Sequence, residues 1–586
     1  MIRRVFRAAI LVTCLLGVGS ASAGTYYIAA NGSDSNSGTS KSSPWLHAPG
    51  MPNCSSACLA YQNARPQPGD SIIFRGGDTW HFGNRDASPY TGGTWYWTWS
   101  GTSTNCDTTD NPAPTRTSCI YVGVDQTWYS GGAWARPIMT GDNPTSTSTV
   151  GSCAYGPVGP KNDFLMVNNN AFAWFDNFEW TGLCSGVAST VGNNYLNSWN
   201  LYIVDAGGSV VVVQNVYSNH YAHGWTHLPY SCSEPSGEPV GQCMSSGFIT
   251  GGIMSTLGPG NVCDGSDSDP HSVQCELGPG YIVFDNVFAN QAQVVVNGYH
   301  DWHDNYWFNY TNTTDGIAHG NEWEANTDAP GSDSSGHSQP RVPFNVWYNN
   351  VEGHTAPTAT GDVKVAFCPN TFAAEYWFNN IQYDQAGTGN TWDVATGGFN
   401  CSASGHEYMF NNTLDSPGAG ALNCVGGMVV TGNHEIVEGT SAFNAGSCRI
   451  SNEIVMNHAR AVTQGYMATG RGTSGSNNDT TCANDTYPCA PTSSADSTIG
   501  GGGNFQSYCL SLLASGAGEI ARAGTACQNG TTDSCSYNTA NHTVNCPRDT
   551  PAERPESAAW DAGAYQFSGS QAAVPLPPTN LSITVQ

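Results

Sequence analysis

The sequence predicts an all-β protein built as a parallel β-solenoid. Three observations support this prediction: a short phrase that recurs along the chain, insertions of variable length between its copies, and few helix signals outside 506–523. Each copy combines apolar or aromatic residues, a polar residue, an Asn and a second short strand. The copies lie at 175–177, 213–215, 284–286, 303–305, 348–350, 378–380, 410–412 and, more weakly, 450–452.

The Asn of each phrase explains the turn. Asn tolerates the left-handed backbone that a tight corner needs, and stacked Asn side chains can hydrogen-bond to one another along a column. The shortest step, from Asn286 to Asn305, is about one bare coil. The longest step, from Asn215 to Asn286, leaves room for a coil that carries no recognisable phrase.

The N-terminus has the three parts of a secretory leader. Three arginines precede an apolar stretch over 8–18, and Ala21-Ser22-Ala23 offers a cleavage site. We expect a secreted, extracellular or cell-surface protein without membrane insertion, because no apolar stretch is long enough to span a bilayer. We divide the chain into a leader (1–23), an N-terminal cap with the first coils (24–160), the β-helix with loop insertions and a C-terminal closure (161–568), and a Pro-containing tail (569–586).

The cysteines predict disulfide-stapled loops. Removal of the leader removes Cys14 and leaves an even number, and sequence neighbours appear in pairs. Sequence alone does not fix the connectivity. The pairs are Cys54/Cys58, Cys106/Cys119, Cys153/Cys184, Cys232/Cys243, Cys263/Cys275, Cys368/Cys401, Cys424/Cys448, Cys482/Cys489, Cys509/Cys527 and Cys535/Cys546.

The charge pattern narrows the class of partner. Only 11% of residues are charged, and the formal net charge is −27. Nucleic acids and anionic membranes are poor partners for such a chain, because their affinity rests on Lys and Arg. A polysaccharide is the expected partner, although an anionic one would need calcium or a locally basic groove. The sequence does not indicate an oligomeric state.

Both ends of the chain resemble one family. The segment 26–39, followed by Ser43-Pro44-Trp45 and by 68–77, resembles the opening of secreted right-handed parallel β-helix proteins of the pectate-lyase-like superfamily. The C-terminal segment 554–567 is similar to the closure found there. The resemblance implies a right-handed parallel β-helix with PbH1-type repeats and carbohydrate-active relatives, and says little about chemistry.

The densest group of polar residues lies between 215 and 325 and holds seven of the 15 histidines. His supports acid/base chemistry near neutral pH, and paired acids can divide acid and base roles in glycosidic cleavage when about 5–9 Å apart. The alternative is that these side chains face solvent or hydrogen-bond to equivalent residues of neighbouring coils. Asp304 is expected to belong to the turn. The candidate catalytic residues are His223, Asp301, His319 and Glu322, and the candidate substrate contacts are His220, Trp225, His227, His300 and His303.

Phase along the coils suggests that part of this group meets. His223 follows its turn Asn by eight residues, and His319 follows its own by fourteen. We expect both on or near the strand after the next corner, on successive coils about 4.8 Å apart. In the resembled superfamily that sheet lines the substrate groove.

Two further features carry open alternatives. Asp264, Asp267 and Asp269 offer hard oxygen ligands for calcium, yet they lack the later Glu of an EF-hand loop and also suit a plain acidic turn. No cofactor is certain from the sequence. A row of three tryptophans predicts either a sugar-stacking surface or a cover over the end of the solenoid. These residues are Trp95, Trp97 and Trp99.

Two functions compete at this point. The first is an extracellular enzyme that cleaves polysaccharide, with hydrolysis favoured over β-elimination because no basic residue lies between Lys161 and Arg341. The second is a non-catalytic glycan-binding or structural rod. Convergence of the four catalytic candidates in one groove favours the enzyme, and their dispersal around the coils favours the rod.

Overall fold

Parallel strand pairing dominates the structure, which is a computed structural model. Most of its described strands form three parallel sheets, named A, B and C here, with 13, 12 and 10 strands. Two antiparallel pairs lie outside them, Met467–Thr469 with Thr481–Cys482 and Ser536–Asn538 with Thr543–Asn545. The structure describes residues 23–64, 66–101, 120–143, 154–155, 163–168, 172–183, 199–204, 210–219, 223–228, 255–264, 274–277, 281–289, 293–297, 300–308, 323–326, 344–353, 365–368, 374–383, 392–394, 407–415, 422–423, 428–437, 448–469, 481–483, 486–514, 518–532, 536–546 and 550–568.

Sheet A carries the aromatic half of the repeated phrase. Its strands are Thr25–Ile28, Ser71–Gly76, Ile120–Tyr129, Phe172–Asp176, Val210–Gln214, Ser255–Leu257, Tyr281–Phe284, His300–His303, Phe344–Tyr348, Ala374–Phe378, Glu407–Phe410, Val429–Thr431 and Arg449–Ser451.

Sheet B follows each corner. Its strands are Thr79–His81, Ile138–Thr140, Glu179–Thr181, Tyr217–Asn219, Val262–Asp264, Val287–Ala289, Tyr306–Phe308, Val351–Gly353, Ile381–Tyr383, Thr413–Asp415, His434–Val437 and Ile454–Asn457.

Sheet C completes each coil. Its strands are Trp95–Trp97, Asp163–Asn168, Trp199–Val204, His223–Leu228, Gln274–Leu277, Gln293–Asn297, Trp323–Asn326, Val365–Cys368, Trp392–Val394 and Leu422–Asn423.

The chain visits the sheets in the order A, B, C and pairs each strand with its equivalents one coil before and after. The fold is a right-handed parallel β-helix, which confirms the predicted class. The suspected extra coil exists: Ser255–Leu257 lies in sheet A and Val262–Asp264 in sheet B. Its corner is Gly260-Asn261, with φ 82° at Gly260, and it follows Gly258-Pro259 instead of an apolar pair and a polar residue, which is why no phrase marks it.

From Gly260 to Asn433, each corner between sheets A and B uses two residues in different ways. The first has positive φ, as in Asn349 and Asn379, and the second is a buried Asn that belongs to a ladder. Asn350 Nδ2 donates to Asn380 Oδ1 at 3.1 Å, and Asn380 Nδ2 donates to Asn412 Oδ1 at 2.9 Å. The turn Asn residues predicted from the sequence belong to both columns. Asn177, Asn215 and Asn452 are positive-φ residues rather than members of the ladder. The ladder consists of Asn261, Asn286, Asn305, Asn350, Asn380, Asn412 and Asn433.

Side chains alternate between the interior and the outer faces, as the period of a strand requires. Trp302, Trp347 and Trp377 form an interior stack with ring centroids 5.2 and 5.5 Å apart. The next residue of each strand lies on the outer face of sheet A, where Tyr348 stacks on Phe378 at 5.1 Å. Regular stacking of equivalent residues therefore fills both surfaces of this sheet.

Four helices lie outside the coils in the described part of the chain. Sequence reasoning expected one short helix at 506–523, and the structure has two there plus two that it missed. The longest has 10 residues, and no described helix is long and apolar enough to cross a membrane. The helices are Ser56–Ala64, His458–Thr463, Gln506–Leu513 and Gly518–Cys527.

Three predicted disulfides are confirmed, namely Cys54–Cys58, Cys482–Cys489 and Cys509–Cys527. Cys263, Cys448 and Cys546 are also disulfide-bonded. Their partners are outside the described side chains, and the remaining pairings stay predictions. The leader, the tail and the domain limits also stay predictions, since 1–22 and 569–586 lie outside the described residues.

The C-terminal segment returns along the corner between sheets A and B. Buried Arg554 donates to Asn379 Oδ1 at 2.8 Å and to the carbonyl oxygens of Gly563 and Ala564. Asn411 Nδ2 donates to the carbonyl of Asp561 at 2.8 Å. The predicted closure thus supplies partners to Asn379 Oδ1 and Asn411 Nδ2 of the positive-φ column.

A pair of glutamates ends the Asn ladder. Glu453 accepts hydrogen bonds from the backbone N–H and Nδ2 of Asn433 at 3.1 and 3.2 Å, and Glu435 beside it is fully buried. Burial raises the pKa of Glu453 to about 8. Burial and the neighbouring Glu453 also raise the pKa of Glu435. Like charges in one buried place favour a neutral pair or a shared proton.

We predict that Asn380→Ala destabilises the fold by about 3 kcal/mol or more, because it leaves buried groups of Asn350 and the carbonyl of Trp347 without partners. Urea unfolding of the mature protein measures this change. Asn31→Ala is the control, since Asn31 is exposed, and we expect it to change stability by less than about 0.5 kcal/mol. Equal midpoints for the two variants would contradict the prediction.

We predict that the glutamate pair makes stability fall with rising pH. A carboxyl group with a raised pKa binds its proton more tightly in the folded state, so its contribution is present below pH 4.5 and is lost as the pH rises through about 8. Glu435→Gln removes one titrating group. Thermal unfolding should show similar stability for variant and wild type near pH 5, and a variant more stable by about 1–3 kcal/mol near pH 9. A difference that is independent of pH would refute this assignment.

Candidate functional site

The structure places two of the four catalytic candidates on different sheets. The backbone of His223 lies in sheet C, whereas Asp301 lies in sheet A and is fully buried. His319 and Glu322 lie outside the described residues, immediately before the sheet C strand Trp323–Asn326. A common groove for Asp301 and His223 is therefore not present, which corrects the predicted constellation.

The expected spacing along sheet C is also wrong. Two strands, Gln274–Leu277 and Gln293–Asn297, separate His223–Leu228 from Trp323–Asn326. The coils that follow Asn215 and Asn305 were expected to be successive, but the coil of Asn286 and the unrecognised coil at 255–264 both lie between them. On the neighbouring strand of sheet C, Leu201 and Ile203 are the register partners of Trp225 and His227. His220 lies outside the described residues.

His300 and His303 belong to sheet A with Asp301. His303 is buried, stacks between Phe284 and Tyr348 at 5.4 and 4.8 Å, and contacts Asp304 through Nδ1 at 2.6 Å. Asp304 has φ 60° and occupies the turn, as expected. Burial and stacking give His303 a structural role rather than a substrate contact.

The row of tryptophans lies in the core. Trp95 and Trp97 are 2% and 0% exposed, and Trp99 is 9% exposed. Trp95 Nε1 donates to the carbonyl of Pro49, and Trp97 Nε1 to that of Trp99. This burial contradicts a sugar-stacking role and supports the alternative of a cover for the first coils.

Asp264 is engaged within the protein. Its Oδ2 accepts a hydrogen bond from Tyr537 Oη at 2.6 Å, and the residue is 3% exposed. Burial and Asp264 raise the pKa of Tyr537, which keeps its hydroxyl protonated and donating. Asp267 and Asp269 lie outside the described residues, and the described residues contain no group of three or more metal-ligating side chains.

The most distinct reactive arrangement is a His–Asp dyad that sequence reasoning missed. His81 Nδ1 lies 2.5 Å from Asp142 Oδ1, and Asp142 Oδ2 accepts backbone N–H groups of Gly83 and Asn84 at 3.1 and 2.8 Å. The carboxylate thus fixes the tautomer with the proton on Nδ1. The His81 side chain is 23% exposed, and Nε2 has no partner among the described residues, so it is available as a base.

Local structure explains how the dyad forms. His81 ends the first strand of sheet B, and Asp142 lies just after the next strand, Ile138–Thr140. Asp142 has φ 62°, and its N–H donates to Thr140 Oγ1 at 2.9 Å. The loop that follows His81 returns beside it, since Thr91 N–H donates to the carbonyl of His81 at 2.7 Å.

A row of polar side chains extends from the dyad along the outer face of sheet B. His81 pairs with Thr140, Thr140 pairs with Thr181, and Thr181 Oγ1 contacts Asn219 Oδ1 at 2.5 Å. The first three residues are partly exposed, whereas Asn219 is 4% exposed. The open part of the row spans about 10 Å, or two strand spacings.

Arg85 adds a free positive charge to this end of the solenoid. It is exposed in the loop after His81 and forms no ion pair or hydrogen bond in the described part of the chain. The other nearby arginines are occupied: Arg75 pairs with Asp78 at 2.8 Å, and Arg136 donates to the carbonyl of Asn215. The His81 imidazole and, four residues later, the exposed Arg85 guanidinium offer a base and an anion-binding group on the same segment of chain.

Comparison with known proteins gives few relatives. No family model matches the chain, and no curated protein matches it. One solved structure that resembles it is a rhamnogalacturonan lyase, with 14% sequence identity, a TM-score of 0.31, and coverage of 73% of this chain and 87% of that one.

Proposed function

We propose that the protein is a carbohydrate-active β-helix that cleaves a polysaccharide at the His81–Asp142 dyad. The observation that carries the proposal is the arrangement of His81, with Nδ1 held by a nearly buried carboxylate and Nε2 exposed beside a polar row. A base oriented in this way contributes about 10²–10⁴-fold to a proton transfer. The row runs along the axis of the solenoid, which suits an extended chain.

The dyad suits β-elimination from a uronic acid better than hydrolysis. Nε2 takes the proton from the carbon beside the carboxylate, that electron pair forms the double bond, and the bond to the leaving glycosidic oxygen breaks. The imidazolium then returns the proton to that oxygen. Hydrolysis usually needs two carboxyl groups that flank the bond, and Asp142 is the one carboxylate in contact with His81 within the described residues.

The preference for hydrolysis came from the absence of basic residues around 215–325. The dyad lies elsewhere, in a part of the chain that also holds Arg85. An exposed, unpaired guanidinium can neutralise the carboxylate of a uronic acid, which makes the proton on the adjacent carbon easier to remove. We therefore propose a uronic-acid-containing polysaccharide as the substrate and a secreted lyase as the function.

The second candidate is a non-catalytic glycan-binding rod. The burial of Asp301, His303 and the three tryptophans favours it, because these residues serve the core rather than a groove. The closure by Arg554 along the corner also adds rigidity. The two candidates differ in whether substitution of the dyad changes any reaction.

We predict that His81→Ala and Asp142→Asn each lower the initial rate by about 10²–10⁴-fold with little change in folding. The assay follows ultraviolet absorbance of the new double bond together with reducing ends, on polygalacturonate, rhamnogalacturonan, alginate and neutral xylan. His47→Gln is the matched control, since His47 also pairs with an aspartate, Asp34, at 2.9 Å, but its side chain is only 7% exposed. We expect it to affect stability alone.

Reducing ends without absorbance would replace elimination by hydrolysis. No product on any polymer from folded protein, or wild-type rates in both dyad variants, would support the rod.

We also predict that Arg85→Ala raises KM for a uronate polymer by about 10-fold or more, because an ion pair to the substrate carboxylate is lost. Arg85→Lys should recover part of this loss, since it restores the charge without the planar fork. Steady-state kinetics at low ionic strength measures both variants. An unchanged KM in Arg85→Ala would remove Arg85 from the site.

A further inference from the structure

A C-terminal hairpin lies at the far end of the polar row. Its strands are Ser536–Asn538 and Thr543–Asn545, and the chain between them holds His542 with φ 53°. The His542 ring stacks on Tyr217 of sheet B, with centroids 3.9 Å apart and planes 10° apart. The hairpin therefore sits directly on the outer face of the coil that contains Asn219.

Polar contacts fix the hairpin in this position. Tyr537 Oη donates to Asp264 Oδ2 at 2.6 Å and lies 2.9 Å from His542 Nδ1, which donates in turn because the hydroxyl proton is already used. Arg136 donates to the carbonyl of His542 at 3.2 Å and to that of Asn215 at 3.0 Å. The hairpin is thus tied to residues of three coils of the solenoid, those of Arg136, Tyr217 and Asp264.

The exposure of the row changes where the hairpin begins. His81, Thr140 and Thr181 are partly exposed, whereas Asn219 and Asp264, the next two members, are 4% and 3% exposed. The open row is therefore about 10 Å long, and the hairpin lies beyond it. A sugar chain lying on the row meets the hairpin after a few residues.

We propose that the hairpin 536–546 is a specificity-determining wall, which makes the protein act near the ends of its polysaccharide and release short products. This inference rests on the proposed lyase function. A row closed on one side accepts a chain end, whereas cleavage in the middle of a long chain needs a row open in both directions. Tyr537 and His542 are positioning residues here, since they hold the wall and do not contact the reacting atoms.

The test compares viscosity with bond cleavage. With polygalacturonate or rhamnogalacturonan as the probe, an end-acting protein produces absorbance with little loss of viscosity, and chromatography of early samples shows short oligosaccharides only. Mid-chain cleavage lowers viscosity sharply at the same number of broken bonds. We expect the first pattern for the wild type.

Variants then test the wall itself. The double substitution Tyr537→Ala/His542→Ala removes the contacts with Asp264 and Tyr217, and we expect at least a threefold larger viscosity loss per bond broken, with longer early products. Thr539→Ala is the control, because Thr539 is exposed at the hairpin tip; it should behave as the wild type. If the double variant fails to fold, the product pattern of the wild type still distinguishes cleavage near chain ends from cleavage in mid-chain.

The outcomes separate this inference from the function on which it rests. Long early products and a sharp viscosity loss with wild-type protein would contradict the proposed role of the hairpin. If product formation still depended on His81, the proposed lyase function would stand. An unchanged pattern in a folded double variant would also contradict the role of the hairpin. Absence of any product would instead count against the proposed function.

Discussion

The corner between sheets A and B is the constraint on which the rest of the solenoid depends. At most coils the chain turns through one positive-φ residue and one buried residue, and where the buried residue is Asn it satisfies backbone groups that no strand reaches. Asn412 Nδ2, for example, donates to the carbonyl of Trp377 one coil away at 3.1 Å. A buried backbone group without a partner costs about 1–3 kcal/mol, so the ladder fixes the register of the strands on both sides. Apolar Phe178 and Val216 replace Asn in the early coils, and Glu453 ends the column.

The corner also determines where the rest of the chain attaches. Positive-φ residues point polar side chains outwards, and the C-terminal segment supplies their partners through Arg554 and the carbonyl of Asp561. The same segment delivers the hairpin to the outer face of sheet B. The site uses a related device, since Asp142 has positive φ and directs its carboxylate back to His81. Corner geometry therefore positions both the proposed base and the proposed wall.

Local sequence was enough for the fold but not for the site. The repeated phrase predicted the corners because Asn and φ are coupled within one residue, and the closure was visible in the segment around Arg554. The expected meeting of the segments of His223 and His319 depended on a longer-range quantity, the number of coils between Asn215 and Asn305, and the coils of Gly260 and Asn286 both intervene. His81 and Asp142 are 61 residues apart, and no local pattern joins them. The one signal in the sequence was the alternation of side-chain direction along the two strands that end at His81 and Thr140, which places both residues on the same face of the sheet.

Exposure separates the proposed catalytic His–Asp pair from a structural one in this protein. The His47–Asp34 and His81–Asp142 pairs both use Nδ1 and a carboxylate that also accepts backbone N–H groups. The His47 side chain is 7% exposed, and its Nε2 is buried without a partner, so no substrate proton can reach it. The His81 side chain is 23% exposed at the edge of a polar row. The same hydrogen bond therefore holds a loop at His47 and is proposed to orient a base at His81, because solvent access, rather than pairing, decides whether Nε2 can accept a proton.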